Sequence, residues 1–331
     1  MSPCRLDNRL GKDREAPDLC PVNPDANATA NRRPVILGLG EVLWDLLPAG
    51  RQLGGAPANF AYHAAALGAD ARLVSRVGPD ELGHETLERL GRLGLRIEAV
   101  ERDPLLPTGT VSVVLTADGQ PRFTIHEPVA WDALQGSPAA REAVAQADAL
   151  CFGTLGQRHE TARTTIRALI GHLPPSALRV LDVNLRQHFF SPRLLEESLG
   201  LAQVAKVNDS ELAHLGEIFD LPGDPRSQIS RLADRFRLRC VVCTRGAQGS
   251  LILADGRWSE LAGTPARVVD TIGAGDAFTA ALTLGLLAGW PLEVVHRRAA
   301  DLATHVCTQP GAMPPLPAEL TAPFRSRWPH P

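Results

Sequence analysis

The sequence predicts an α/β protein: a mostly parallel sheet covered by helices on both faces, three layers in all, with a small β-sheet appended. Three observations predict it. From Pro34 onward, short apolar runs alternate with helical patterns, the mark of consecutive βαβ units. One section, Arg96 to His126, breaks the alternation with strand-like runs alone. The 331 residues, 44% of them hydrophobic, can bury one large core or two modest ones.

The first 33 residues mix Asn, Asp, Arg and Pro without an apolar run long enough for a signal-peptide core. Residues 1–33 therefore read as a mobile tail, and 34–331 as one domain. "VILGLG" (35–40) is the first strand, and "APANFAYHAAALG" (56–68) the first helix. "ARLVSRVG", "ADALCFG", "LRVLDVN", "VAKVN" and "CVVCTRG" follow as strands, with "DELGHETLERLGRLG" and "ETARTTIRALIGHL" among the helices between them. "RIEAV" and "TGTVSVVLTADGQPRFTIH" read as strands with a hairpin at Asp118-Gly119. With Val42 to Leu53 they form a small antiparallel sheet, a lid spanning about 42–54 and 96–127. No internal repeat or low-complexity linker divides the body.

Composition narrows the chemistry. A formal charge of -3 gives no bias toward nucleic acid, and no window reaches the length of a membrane span. The only lysines are Lys12 and Lys206, and the pattern GxxxxGK[ST] is absent. Six cysteines without framework spacing fit a reducing cytoplasm. Cys240 and Cys243 form a CxxC inside a β-branched run, which reads as two buried structural thiols. "GLGEVLWD" puts Leu43 where a dinucleotide fingerprint needs its third glycine, and runs into a strand rather than a helix. "HETLE" and "HETAR" lack the second histidine of a zinc protease, and there is no G-x-S-x-G.

Several stretches carry chemistry. In "GGAPANFA" the glycines Gly54 and Gly55 admit a ligand to the backbone. Asn59 falls in the first helical turn facing outward, with an amide able to donate to and accept from a hydroxyl, although a plain loop-to-helix junction has the same form. Asp45, upstream, is an acceptor for two adjacent hydroxyls. In "KVNDSEL", Asn208 and Glu211 either hold the waters of a Mg²⁺ ion or simply cap the helix that starts there. Arg186 of "DVNLR" follows a strand end, available to an anion or to a surface carboxylate. Thr244, Gly246 and Gly249 of "CTRGAQGS" suit a turn against a polyphosphate or an ordinary β-turn.

The stretch "DTIGAGDAFTAALTLGLL" sets two glycines and a carboxylate at the mouth of an apolar helix, where unpaired N–H groups and the helix dipole attract anions. Gly273, Ala274 and Gly275 make an anion nest for a phosphoryl group in transfer. Asp276, kept ionised by the nearby N–H groups, takes the proton of the attacking hydroxyl. A cap accounts for the Asp but not for the flanking glycines.

In their order, "GGAPANFA", "DVNLR", "NDSE" and "DTIGAGDAF" resemble the ribokinase-like (PfkB) carbohydrate kinases, from about Val35 to Pro317. The resemblance implies an α/β/α sandwich with a β lid over the sugar, ATP with Mg²⁺ as phosphoryl donor, and a hydroxymethyl acceptor. Asp276 stands at the base position, and Gly273, Ala274 and Gly275 stand at the anion hole. Asp45, Gly54, Gly55 and Asn59 match sugar-binding positions. Asn208, Glu211, Thr244, Gly246 and Gly249 match positions near the nucleotide and Mg²⁺. Asp270 and the Ile272 carbonyl, with the segment around Val306 and Gly311, correspond to the K⁺ site many members hold.

"GE-x-L-W-D" followed by "GGAPAN" looks like bacterial fructokinases more than ribokinases or adenosine kinases. "FTIHEPVAWD" departs from the aromatic-Arg pattern of many relatives. His126, Glu127 and Trp131 line the sugar pocket there, or Trp131 is a core anchor. The reading is a fructokinase, with 2-keto-3-deoxygluconate or ribose as other acceptors and a silent sugar or nucleotide sensor as the competing class. An exposed lid edge invites pairing of two copies across a two-fold axis.

Overall fold

The computed structural model describes residues 32–47, 50–115 and 121–328. The expected tail up to residue 31 and the hairpin at Asp118-Gly119 lie outside the described residues.

The first half of the chain forms β1 (Val35–Leu39), β2 (Leu43–Leu47), β3 (Gly50–Gly54), α1 (Ala56–Ala66), β4 (Asp70–Val77), α2 (Glu81–Arg92), β5 (Val100–Arg102), β6 (Gly109–Leu115), β7 (Pro121–Ile125), α3 (Pro138–Ala145) and β8 (Ala149–Phe152). The second half adds α4 (Glu160–Ile170), β9 (Leu178–Asp182), α5 (Pro192–Leu201), β10 (Val204–Asn208), α6 (Asp209–Phe219), α7 (Pro225–Phe236), β11 (Cys240–Thr244), β12 (Ser250–Ala254), β13 (Arg257–Leu261), α8 (Ala274–Leu287), α9 (Leu292–Cys307) and α10 (Ala318–Arg325).

Nine strands make one sheet in the order β13-β12-β11-β10-β9-β8-β1-β4-β5, in which only β12 runs against the others, pairing antiparallel with β11 and β13. Its strands alternate side chains between two cores. Leu37 and Leu39 of β1 join the layer built from α3 to α7, while Ile36 joins α1, α8 and α9 on the other face. Helix α8 is apolar almost all round because it lies between the sheet, α1 and α9.

A second sheet of four strands, β3-β2-β6-β7, stands apart. The sequence reading needs two corrections here. The sheet is mixed: β2 runs parallel to β6, with Asp45 opposite Val111, because both strands leave the same end of the large parallel sheet. The strand near "RIEAV" does not join it. Val100–Arg102 pairs with Ser75–Val77 of β4 at the edge of the large sheet, where Val100 and Leu95 are buried beside α2.

The CxxC falls on β11, and strand alternation sends its two sulfurs to opposite faces, Cys240 into one core and Cys243 into the other. Burial pushes the Cys240 thiol up to about 12 and the Cys243 thiol up to about 11, so both are inert structural groups. Among the described residues no helix is long and apolar enough to cross a membrane.

Candidate active site

Parallel strands deliver their C-terminal residues to one edge of a sheet, and the candidate residues gather there. Asp182 ends β9, Asn208 ends β10 and Thr244 ends β11. Asp276 arrives from the first turn of α8 and Asn59 from the first turn of α1. A small cleft is lined by Asp182 and Asp276 together with Pro57, Phe60, Phe152 and Gly153.

The glycine pairs have separate steric reasons. Gly54 makes room for Asp45, since a Cβ there would stand 3.1 Å from Asp45 Oδ2. Gly55 holds φ at 106°, and its Cβ would meet the Glu41 carbonyl at 2.7 Å. The α1 entry is thereby packed onto the chain leaving β1. Asn59, expected to face outward, is instead buried and donates through Nδ2 to Asp276 Oδ2 at 2.7 Å.

Gly273 holds φ at 80° as the N-cap of α8, and a Cβ there would lie 2.5 Å from the Ala312 carbonyl oxygen. Only glycine fits. The Ala274 N–H is directed at the Thr271 carbonyl at 3.3 Å, so it is the weakest candidate donor of the expected nest. Beneath Gly275 lies the Lys206 ammonium, 3.1 Å from where a Cβ would sit.

In the sequence Lys206 stands out only as one of two lysines, and nothing local marks Asp182 of "DVNLR". Together they form a buried ion pair, with Nζ 3.0 and 2.9 Å from the two carboxylate oxygens. Thr279, one turn into α8, donates to Asp182 Oδ2 at 2.8 Å. Burial opposes the charge on Lys206, but the Asp182, Glu211 and Asp276 carboxylates outweigh it and raise its pKa.

Asp276 is less acidic than an ordinary aspartate, and the donor that favours its ionised form is the Asn59 amide. Burial and the Asp182 charge raise its pKa to about 6, against the Asn59 bond, Lys206 and Arg186. Asp45 is raised to about 6 by burial and by Asp270. Glu41, which sequence reasoning missed, is fully buried with an unpartnered Oε2, and burial raises it to about 7. The signal for it was the acidic residue inside "GLGEV", directly after a strand. Arg186 is exposed, yet its charge favours ionisation of Glu41, Asp45 and Asp276 alike.

Asn208 and Glu211 form a capping box. Asn208 Oδ1 accepts the Glu211 N–H at 2.8 Å, and Glu211 Oε2 accepts the Asn208 N–H at 2.9 Å. The other oxygen, Oε1, accepts the Leu185 N–H at 3.0 Å, and burial raises the Glu211 pKa. Thr244 donates to the Val207 carbonyl at 3.4 Å. Gly249 closes a turn on Gly246 and packs so tightly on Leu261 that its Cβ would stand 2.0 Å from the Leu261 carbonyl oxygen, which accounts for the glycine by packing.

Asp270, Ile272 and Gly311 do meet: Asp270 accepts from the Ile272 N–H at 3.0 Å and the Gly311 N–H at 3.1 Å. Val306, in the last turn of α9, is buried in the core.

Glu127 is exposed and pairs with His159 at 3.3 Å. His126 bonds to Thr110 and Ser112, whose side chains leave β6 on the face opposite Val111, hence opposite Asp45. His126 thus lies on the face of the small sheet away from Asp45. Trp131 is the core anchor, packed with Val111, Leu43 and Phe189 and lying under the Arg158 guanidinium at 4.0 Å.

A three-layer sandwich with acid, amide and helix mouth at the C-terminal ends of its parallel strands, plus a small separate sheet, is a ribokinase-like fold. The pfkB family carbohydrate kinase model matches residues 49–319, and the chain belongs to that family. A fructokinase of Klebsiella pneumoniae is 33% identical over 297 residues, covering 84% of this chain and 95% of that protein. A fructokinase structure from Vibrio cholerae, with fructose, ADP and calcium bound, is 25% identical with a TM-score of 0.73, covering 89% of this chain and 99% of that one. A sugar kinase of Pyrococcus horikoshii in complex with ATP is 26% identical with a TM-score of 0.70, covering 84% and 94%. The protein is a sugar kinase.

Proposed function

We propose that this sugar kinase moves the γ-phosphoryl group of ATP to a primary hydroxyl of fructose. The observation that carries the reaction is the 2.7 Å bond from Asn59 to Asp276 at the glycine mouth of α8. Fructose is favoured by the fructokinase at 33% identity and by the relative that binds fructose and ADP.

With its pKa near 6, Asp276 is ionised at neutral pH yet basic enough to draw a proton from an alcohol in the transition state. Asn59 holds one carboxylate oxygen and leaves the other for the substrate. As the hydroxyl oxygen bonds to the γ-phosphorus, its proton passes to Asp276 and the bond to the departing ADP oxygen breaks. The Gly273 and Gly275 N–H groups and the buried Lys206 bring positive charge to the phosphoryl oxygens. Removing one such donor costs ~10²- to 10³-fold in rate. Asp45, Gly54 and Gly55 offer sugar contacts, and Arg186 offers a guanidinium to the anionic end.

Bound Mg²⁺ would neutralise charge on the phosphates. Each Glu211 oxygen already accepts one N–H and keeps a second lone pair, and no trio of His, Cys, Asp or Glu suited to a metal occurs among the described residues. That suits an ion held by phosphates and waters, with Glu211 and Asn208 behind the waters. Asp270 and the Ile272 carbonyl, tied to Gly311, are the proposed seat of K⁺. Thr244, Gly246 and Gly249 are the residues proposed to meet the nucleotide, and exposed Val268 and Val269 would offer apolar surface to a base. The outer edges of β3 and β7 are unpaired among the described residues, and a second copy would pair there.

An ADP-release screen over fructose, ribose, 2-keto-3-deoxygluconate and adenosine tests the reading. Fructose is expected to give the highest kcat/KM, and release with none of them would overturn it.

A further inference from the structure

A second cavity, of about 550 Å³, lies between β3, the C-terminal end of α2 and the loop at 310–313. Its size is that of a small-molecule site. Among the described residues its wall carries three arginines, Arg51, Arg89 and Arg92, and no carboxylate. Two of the guanidinium groups are held in place by one ring: Arg51 and Arg89 lie 5.5 and 5.1 Å from the centroid of Trp44. Trp44 is itself buried and anchored by its Nε1 bond to Thr86 at 2.8 Å. The arginines pair with Glu81, Glu85 and Glu88, none of which lines the cavity. Those pairs use Nη2 of Arg51, Nε of Arg89 and Nη2 of Arg92, so each guanidinium keeps other N–H donors.

Forked donors that line an open cavity and are not used up by their carboxylate partners suit phosphate or carboxylate oxygens. Gln52 adds an amide for hydroxyls, and Leu53 and Met313 an apolar wall. The cavity also touches the working parts. Ala312 abuts Gly273, Gly311 donates to Asp270, and Gln52 stands opposite Asp45 across β2 and β3.

We propose that this cavity binds the phosphate monoester of a small metabolite and that the occupant ties the base of the small sheet to α2 and the 310–313 loop. The site stands on these residues whether or not the acceptor is fructose.

The test is calorimetric titration of the full chain with inorganic phosphate, a hexose monophosphate and AMP, with and without excess non-hydrolysable ATP analogue. At least one probe is expected to bind while the analogue is present, and which probe binds most tightly identifies the source of the phosphate. In Arg89→Gln/Arg92→Gln its affinity is expected to fall about tenfold or more. Hydrogen exchange across Gly50–Gly54 is expected to slow on binding in the wild type only. Binding that is absent at 10 mM of every probe (on the order of the weakest useful affinity), or equal in the variant, overturns the site. Unchanged exchange with intact binding overturns the tie to the small sheet. Should the double variant misfold, Arg92→Gln alone carries the comparison. Failure of ADP release from sugars leaves these readouts untouched.

Discussion

Asn59 and Asp276, 217 residues apart, meet through a 2.7 Å hydrogen bond from Nδ2 to Oδ2. The bond joins the first turns of α1 and α8, two helices packed side by side on one face of the sheet. It also favours the ionised form of Asp276. Asn59→Ala removes that support, so the Asp276 pKa rises further. Turnover at pH 7 is expected to fall about 10- to 100-fold, with the acidic limb of the kcat profile displaced to higher pH. An unmoved limb would refute the coupling.

Asp276 must be ionised to accept a proton, so the wild-type rate should climb with pH through about 6 and level off above it. Asp276→Asn should lose about 10³-fold or more in kcat while ATP still binds. Retention of most activity would show that the base lies elsewhere.

Gly273→Ala places a methyl group 2.5 Å from the Ala312 carbonyl oxygen at a φ of 80°. Expected are a stability loss of about 2 kcal/mol or more in urea unfolding and near-complete loss of turnover. An alanine variant with wild-type stability would mean that the 310–313 loop yields easily.

Lys206→Met leaves Asp182 buried without its partner. Breaking a buried pair from one side costs about 3–5 kcal/mol. The double variant Asp182→Asn/Lys206→Met should recover much of that stability but not the activity, because Lys206 also lies against Gly275. Equal stabilities for the single and double variants would contradict the pairing.

Glu41 binds its proton more tightly folded than unfolded, since its pKa rises from 4.5 to about 7. Below pH 4.5 both states are protonated and there is no penalty; as pH rises from 4.5 to about 7 the unfolded state gives up its proton while the folded state keeps it, so stability is lost progressively and the loss is complete above 7. Glu41→Gln should therefore raise the unfolding free energy at pH 8, by about 3 kcal/mol at most, and the gain should vanish near pH 4. A gain independent of pH would mean that Glu41 is not the titrating group.

Much of the fold was legible locally. The strands at 35–39, 204–208 and 240–244 and the helices around them appear because buried parallel strands and amphipathic helices announce themselves over a few residues. The α8 mouth was legible for the same reason, its glycines being adjacent in the chain. The pairing of β2 with β6 was not: parallel neighbours far apart in sequence leave no local trace, unlike a hairpin. The strand at 100–102 went to the large sheet because its apolar residues find a partner beside α2, which periodicity does not reveal.

By itself, then, the sequence determined the α/β class, the βαβ order, the glycine-bounded helix mouths and the acids and amides near them. Each depends on residues that are neighbours along the chain. Only the tertiary structure decided that Asn59 turns inward to Asp276, that Lys206 neutralises Asp182 beneath Gly275, and that Glu41 is buried near both Asp276 and Arg186. Charge interactions and desolvation depend on distance through space and on exclusion of water, and both are set when the strands bring their ends to one edge of the sheet.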